Sequence, residues 1–280
     1  MRITILGASG LLGRALRQRW TGDQVSGFSS KDADIRDVQQ VDALLERSKP
    51  EWIVLAAAYT DVDGSEANPE LASAVNFRGA VNVAEAARRA DAKLLFLSTD
   101  YVFDGAKPSA YEIEDPRNPI NVYGRSKAGA EAGILQVLPN ACIVRTSWLF
   151  GVGGKCFPDS ILPAASTRPH IEVVTDQRGC PTYTIDLAET IIQLCRRGAA
   201  GIVHVTNSGA CSWFEFAQEI VRAAGLTTSV LPTSSDKFLR PARRPANSVL
   251  SPASLSGYGL RMPDWQDALR RYLEERQRTA

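Results

Sequence analysis

The chain has 280 residues, 44% of them hydrophobic, and 32 Lys+Arg stand against 31 Asp+Glu for a net charge of +1. That is enough apolar material for one large domain or a domain with a smaller lobe, and the near-neutral balance, with no basic tract or stripe, argues against a nucleic-acid partner. No apolar run approaches the roughly 20 residues that cross a bilayer, and Met1 and Arg2 lead straight into an apolar strand with no cleavable leader, so a cytoplasmic protein without a membrane partner is expected.

In chain order, the first half alternates strand and helix. Residues 3–6 are a short apolar run ending at Gly7, and 11–20 have helical spacing. Residues 24–28 are a second, weaker strand, 38–47 a helix ending before Pro50, and 52–58 an apolar strand. A long alanine-rich helix covers 69–89, a strand 93–98, a helix carries Tyr123, and another strand covers 141–145. Short apolar strands separated by helices imply parallel pairing, right-handed crossovers and burial on both faces. The expected fold is α/β, a doubly wound parallel sheet of the Rossmann kind.

The second half is less regular. Residues 151–169 are rich in Gly, Pro and Ser and read as a long loop with one short helix. Strands are expected at 172–175 and 202–205, helices at 184–196 and 213–224, an extended proline-rich run at 240–252, and a closing helix at 263–275. The expected division is an NAD(P)-binding domain over 1–150 and a smaller substrate-binding lobe over 151–280, part of which is free to return to the sheet. The five cysteines (142, 156, 180, 195, 211) never form Cys-x-x-Cys and read as reduced thiols. His170 and His204 cannot build a zinc site alone, and His204, in an apolar run, reads as structural.

Three local patterns carry chemistry. The first is Gly7-x-x-Gly10-x-x-Gly13, which follows the first strand and opens the first helix, with Ser9, Leu11 and Leu12 between its glycines. Gly7 permits a tight turn, Gly10 lets the backbone approach a pyrophosphate, and Gly13 lets helix and strand pack closely. The helix N-terminus then offers free N–H groups and positive dipole to phosphates. The second pattern is Phe28-Ser29-Ser30-Lys31, where NAD-type sites usually carry a carboxylate. Serine hydroxyls and a lysine suit a 2′-phosphate, so NADPH is favoured over NADH. Asp34 and Ile35 are placed beside the adenine, with capping or turn formation as the plainer role for Asp34.

The third pattern is Tyr123-x-x-x-Lys127, a phenol and an ammonium on one face of a helix. A carbonyl reduced by hydride also needs a proton, and a tyrosine supplies one when a nearby cation stabilises its phenolate. Ser98 and Thr99 end the fourth strand, where doubly wound sheets place ligands. Thr99 is the expected hydroxyl partner of the substrate carbonyl. Lys127 is expected to lower the Tyr123 pKa and to hold the nicotinamide ribose. Arg240, Arg243 and Arg244 are candidates to pair with a diphosphate, or form a solvated basic loop.

With its glycine loop, Ser/Thr, Tyr and Lys, the chain resembles the extended short-chain dehydrogenase/reductase superfamily. More narrowly it is similar to the dTDP-4-dehydrorhamnose reductase family. The narrower marks are 56–63 (AAAYTDVD), 98–105 (STDYVFDG), 145–151 (RTSWLFG), 175–182 (TDQRGCPT), 186–188 (DLA), 240–250 (RPARRPANSVL) and 265–269 (WQDAL). The resemblance implies reduction of the C4 ketone of dTDP-4-dehydro-β-L-rhamnose by NAD(P)H, for cell-surface polysaccharide. It implies that Thr99, Tyr123 and Lys127 carry the reaction and that Asp100, Tyr101 and Trp148 contact the sugar. It places Ala56, Ala57, Ala58 and Asn76 on the cofactor side. Leu55 stands where that family usually has Asn. Ala15 stands where some members have a metal-binding glutamate at a dimer interface, so no metal is expected and a homodimer stays open. Two other readings remain: a reductase or epimerase of another nucleotide-linked keto sugar, or a non-catalytic NADP-binding subunit resembling the regulatory subunit of methionine adenosyltransferase.

Overall fold

Strands too short and too apolar to leave either face in water form the centre of the computed structural model, which describes residues 1–279. The first half runs β1 (Arg2–Leu6), α1 (Leu11–Arg19), β2 (Gln24–Phe28), α2 (Val38–Ser48), β3 (Trp52–Leu55), α3 (Val62–Ala67), α4 (Pro69–Ala72), α5 (Ala80–Arg89), β4 (Lys93–Thr99), α6 (Val122–Val137) and β5 (Cys142–Thr146). Then come β6 (Leu149–Phe150), α7 (Phe157–Thr167), β7 (His170–Val174), β8 (Arg178–Gly179), β9 (Thr182–Tyr183) and α8 (Thr184–Arg196). The rest is β10 (Gly201–His204), β11 (Cys211–Ser212), α9 (Trp213–Ala223), β12 (Ser229–Thr233), α10 (Ala253–Ser256) and α11 (Trp265–Thr279).

Among the described residues, six parallel strands form the main sheet in the order β10-β5-β4-β3-β1-β2. Successive side chains point to opposite faces, and both faces are covered. Ile3, Ile5, Leu95 and Val144 pack under α1 and α8, whereas Ile53, Leu94, Phe96 and Ile143 pack under α2, α5 and α6. This is the expected doubly wound sheet. The strand order reverses at β1, so a crevice opens at the carboxyl ends of β1 and β3. The chain re-enters this sheet late, through β10 beside β5 and α8 beside α1. A third apolar cluster joins α7, α9 and α11, with Phe150, Phe216, Trp265 and Tyr272 at its centre. No helix among the described residues is long and apolar enough to cross a membrane.

Three elements differ from expectation. The strand expected over 52–58 stops at Leu55, and Ala56, Ala57 and Ala58 leave the ladder to line a cleft. The stretch read as loop over 151–169 contains an 11-residue helix, α7, whose Pro158 sits at its start and Pro163 inside it. Those prolines masked its helical character. The single helix expected over 69–89 is broken by a π-helical segment, Ser73–Gly79, which carries Asn76. Such segments re-aim side chains without ending the helix, and composition gives no sign of them.

Candidate active site

The glycine loop is shaped by close backbone approach. Gly7 has φ +94°, and a Cβ there would lie 2.5 Å from the Ala57 nitrogen. A Cβ on Gly13 would lie 2.2 Å from the Gly7 carbonyl oxygen. Gly10 caps α1 with extended backbone and no side-chain hydrogen bond, so the first N–H groups of the helix face outward uncapped. A cleft of about 700 Å³ opens over this loop and runs to the end of β4. The loop after β6 folds toward α1, with Gly154 against Leu11 and Gly153 against Arg14, and brings Lys155 to the cleft wall.

At the end of β2, Ser29, Ser30, Asp34 and Ile35 line the cleft as expected. Lys31, expected with the serines to hold a 2′-phosphate, is exposed and is not among the lining residues; the cation that lines this end is Arg36. Arg36 Nε donates to Asp34 Oδ2 at 2.9 Å, and this pairing holds the Asp34 carboxyl below its usual value. The Ser29 hydroxyl donates to Asp32 at 2.8 Å. Asn76 does not line the cleft. Buried in its π segment, it accepts from the Tyr59 N–H at 2.7 Å and donates to the Ser126 hydroxyl at 3.1 Å, between Tyr123 and Lys127 on α6.

At the other end of the cleft, β4 and α6 bring Thr99, Asp100, Tyr101, Tyr123 and Lys127 to one wall. The Thr99 hydroxyl donates to Asp100 Oδ1 at 3.0 Å and accepts from the Tyr101 N–H at 3.2 Å. Loss of hydration pushes the Tyr123 phenol up to about 12, and the nearby Asp100 charge adds to this, while a hydrogen bond with the Thr99 side chain opposes it. The Tyr101 ring meets the Tyr123 ring edge-on, with centroids 6.2 Å apart.

Lys127 behaves differently from expectation. Its ammonium donates to the Leu97 carbonyl at 2.5 Å, over the Phe96 ring at 4.0 Å, and is not among the groups that set the Tyr123 pKa. Burial lowers its own pKa to about 7, with the Glu131 charge opposing. Both side chains line the cleft, but the Lys127 ammonium is directed to the Leu97 carbonyl of β4.

Asp100 is 3% exposed, and its Oδ2 has no hydrogen-bond partner among the described residues. Burial raises its pKa to about 7, which hydroxyls of Ser248 and Thr99 only partly offset. The fold therefore holds a proton that the unfolded chain releases near pH 4. Stability falls as pH rises from about 4 to 7, and the loss is complete above that window. Asp100→Asn keeps the shape and removes the charge. Melting curves should show it more stable than the parent at about pH 8, by up to roughly 4 kcal/mol, and equal to it at about pH 4. An unchanged melting temperature at the higher pH would mean the carboxylate is already well solvated.

Trp148, expected to contact the sugar, lines the cleft. Trp148 holds φ +47°, a strained value for a bulky residue. Its indole stacks on that of Trp213 with centroids 3.5 Å apart, and a Cβ on Gly179 would come within 2.5 Å of it. Trp213 also lines the cleft. The sequence reading placed it only as the start of a helix, and nothing local distinguishes it from a core tryptophan. Two of the arginines considered for a diphosphate are paired with a carboxylate. Arg244 forms a two-point pair with Asp63 at 2.6 and 2.8 Å, and Arg240 reaches the same carboxylate at 3.5 Å. That pairing holds Asp63 down at about 2.

The family described as RmlD substrate binding domain matches residues 1–278. The spore coat polysaccharide biosynthesis protein SpsK of Bacillus subtilis is 39% identical over 279 residues, 98% of each chain. A dTDP-4-dehydrorhamnose reductase of Sinorhizobium fredii is 37% identical over 284 residues, 97% of this chain and 96% of that one. Among solved structures, the dTDP-4-dehydrorhamnose reductase of Bacillus anthracis in complex with NADP superposes with a TM-score of 0.95 at 39% identity, covering 98% of this chain and 99% of that one.

Proposed function

Because the chain belongs to the RmlD substrate-binding-domain family, we propose that it is an NADPH-dependent reductase that converts the C4 ketone of dTDP-4-dehydro-β-L-rhamnose to the alcohol of dTDP-L-rhamnose. The observation that carries this reading is a single cleft with the glycine cradle at one end and the Thr99–Tyr123 pair at the other. In it, residues 1–150 hold the cofactor and the 151–280 lobe, through Trp213 and its neighbours, closes on the sugar.

The residues present fit a dinucleotide. The backbone approach at Gly7 and Gly13 leaves no space for a side chain, and the uncapped α1 N-terminus is an anion site of the kind that takes a pyrophosphate. When bound, the cofactor supplies the hydride. The protein supplies position and a proton. Thr99 presents its hydroxyl to the carbonyl oxygen, and Tyr123 donates its proton to the same oxygen as negative charge develops. A phenol held at about 12 remains protonated across the working range, so it arrives as an acid, and an alkoxide is basic enough to take its proton. Lys127 lines the cleft with N–H donors beyond the one given to Leu97, and in this reading they hold the ribose on the nicotinamide side. Asp100, Tyr101 and Trp148 contact the sugar, with the Trp148 indole laid against a hexose face.

Incubating the purified protein with NADPH and the dTDP-4-keto sugar, in the presence of a 3,5-epimerase, should consume NADPH mole for mole and yield dTDP-L-rhamnose by NMR. A product of different stereochemistry, or no oxidation of NADPH, would overturn the assignment.

For the 2′-phosphate, Arg36 replaces Lys31 as the cation to test. Arg36→Ala should weaken NADPH by about tenfold, the scale of one charge-assisted hydrogen bond, with little effect on NADH. Lys31→Ala should leave the ratio of the two dissociation constants unchanged. Equal losses for both cofactors in Arg36→Ala would place that guanidinium outside the phosphate site.

A further inference from the structure

Tyr123, Lys127 and Glu131 are spaced i, i+4 and i+8 along α6 and so share one face. The first two line the cleft, while Glu131 lies one turn deeper and is 0% exposed. Both of its carboxylate oxygens are in use. Oε1 accepts from the Ser98 hydroxyl at 2.5 Å and from Arg145 Nε at 2.9 Å; Oε2 accepts from Arg145 Nη2 at 2.7 Å and from Arg117 Nη1 at 3.4 Å. Ser98 precedes Thr99 on β4, and Arg145 lies on β5 next to Thr146, another cleft residue. Arg145 Nη1 also faces His204 Nε2 on β10 at 3.3 Å.

We propose that Glu131 is a positioning residue: its buried carboxylate fastens α6 to the ends of β4 and β5, and so fixes where the Tyr123 phenol and the Lys127 ammonium stand relative to Thr99. The proposal rests on the reading that these three residues carry the reaction. A buried ion pair is a poor device for stability alone, since well-packed apolar residues of the same volume often serve equally well or better. What apolar packing does not supply is a directional lock on the rise and rotation of a helix. One residue of slip along α6 is about 1.5 Å, and misplacement of about 1 Å at a reacting centre can cost about 10²-fold in rate.

The charged and titratable groups that face Glu131 are Arg145 from β5, Arg117 from the segment before α6, and Lys127 from its own helix. His204, beyond Arg145, is held neutral, its pKa pushed down to about 3 by burial and by the Arg145 charge. Glu131 is thus the anion that favours the charged form of Lys127.

The test uses the full-length protein with NADPH and the keto sugar. Glu131→Gln should lower kcat by about tenfold or more, a tenth or more of the penalty for an ångström-scale misplacement. It should leave KM for the sugar and the NADPH dissociation constant within about threefold, because Glu131 is fully buried and does not line the cleft. The alkaline limb of its kcat–pH profile should move to lower pH, since Lys127 loses its anion. A general loss of folded enzyme would scale activity without moving that limb. If Glu131→Gln does not fold, Glu131→Leu/Arg145→Met removes both charges at similar volume and should fold while showing the same fall in kcat. A kcat within about twofold of the parent in either folded variant would overturn the proposal. Tyr123→Phe run in parallel separates the failures: if it too keeps full turnover, the catalytic reading itself is wrong, whereas its loss beside a normal Glu131 variant rejects the positioning role alone.

Discussion

Tyr123→Phe will bind NADPH as the parent does and lose roughly 10²- to 10⁴-fold in kcat, the usual contribution of one positioned acid. That range corresponds to about 3–5 kcal/mol of transition-state stabilisation. The substitution deletes the hydroxyl and keeps the ring, so the edge-on contact with Tyr101 persists and the wall of the cleft is unchanged in shape. The phenol is also not part of a stabilising ion pair. Its pKa is raised by burial rather than lowered by a cation, so removing it relieves a buried polar group, and the melting temperature should hold or rise slightly. Stopped-flow measurement of the single-turnover rate, beside fluorescence titration of NADPH, distinguishes the outcomes. A variant that turns over near the parent rate would remove Tyr123 from the reaction.

Gly7→Ala should abolish measurable cofactor binding, with a loss of affinity of about 10²-fold or more, and should lower the melting temperature. Two penalties act together. The φ of +94° is one that an L side chain rarely adopts, which costs roughly 1–2 kcal/mol. The new Cβ would also stand 2.5 Å from the Ala57 nitrogen, a backbone atom that cannot rotate away. Relief requires β1 and the segment after β3 to separate, and that separation opens the floor of the cradle. Isothermal titration with NADPH and a thermal melt would measure both effects. Parent-like affinity would show that the loop can take up the methyl group elsewhere, and that the tight turn is not what admits the pyrophosphate.

Most of the sheet could be read along the chain, for a local reason. A strand buried on both faces needs an unbroken apolar run, and those at 52–55 and 94–97 announce themselves in this way. The glycine spacing is legible because a positive φ and a backbone contact each exclude a side chain. The two-residue strands β6, β8, β9 and β11 were invisible, being too short to show a period. Helix α7 was hidden by its prolines, and the π segment by having the composition of an ordinary helix.

For the candidate site, the residues named from the chain nearly all line one cleft, and the exceptions are instructive. Lys31 is two residues from Ser29 yet turns to solvent, while Arg36, held by Asp34, reaches the wall. Trp213 meets Trp148 across 65 residues of sequence, and Arg244 meets Asp63 across 181. No local pattern encodes such meetings.

By itself, then, the sequence determined the alternation of elements, the glycine loop and which phenol, ammonium and hydroxyl would meet at the cleft. These depend on periodicity, on backbone freedom and on spacing within one helix, all of which act over a few residues. Tertiary packing alone decided the state of those groups: the Tyr123 phenol high at about 12, Asp100 and Lys127 near 7, and Glu131 locked to Arg145 beneath them. Hydration lost on burial and the charges that close on a group from distant strands set its protonation, and neither exists until the chain has folded.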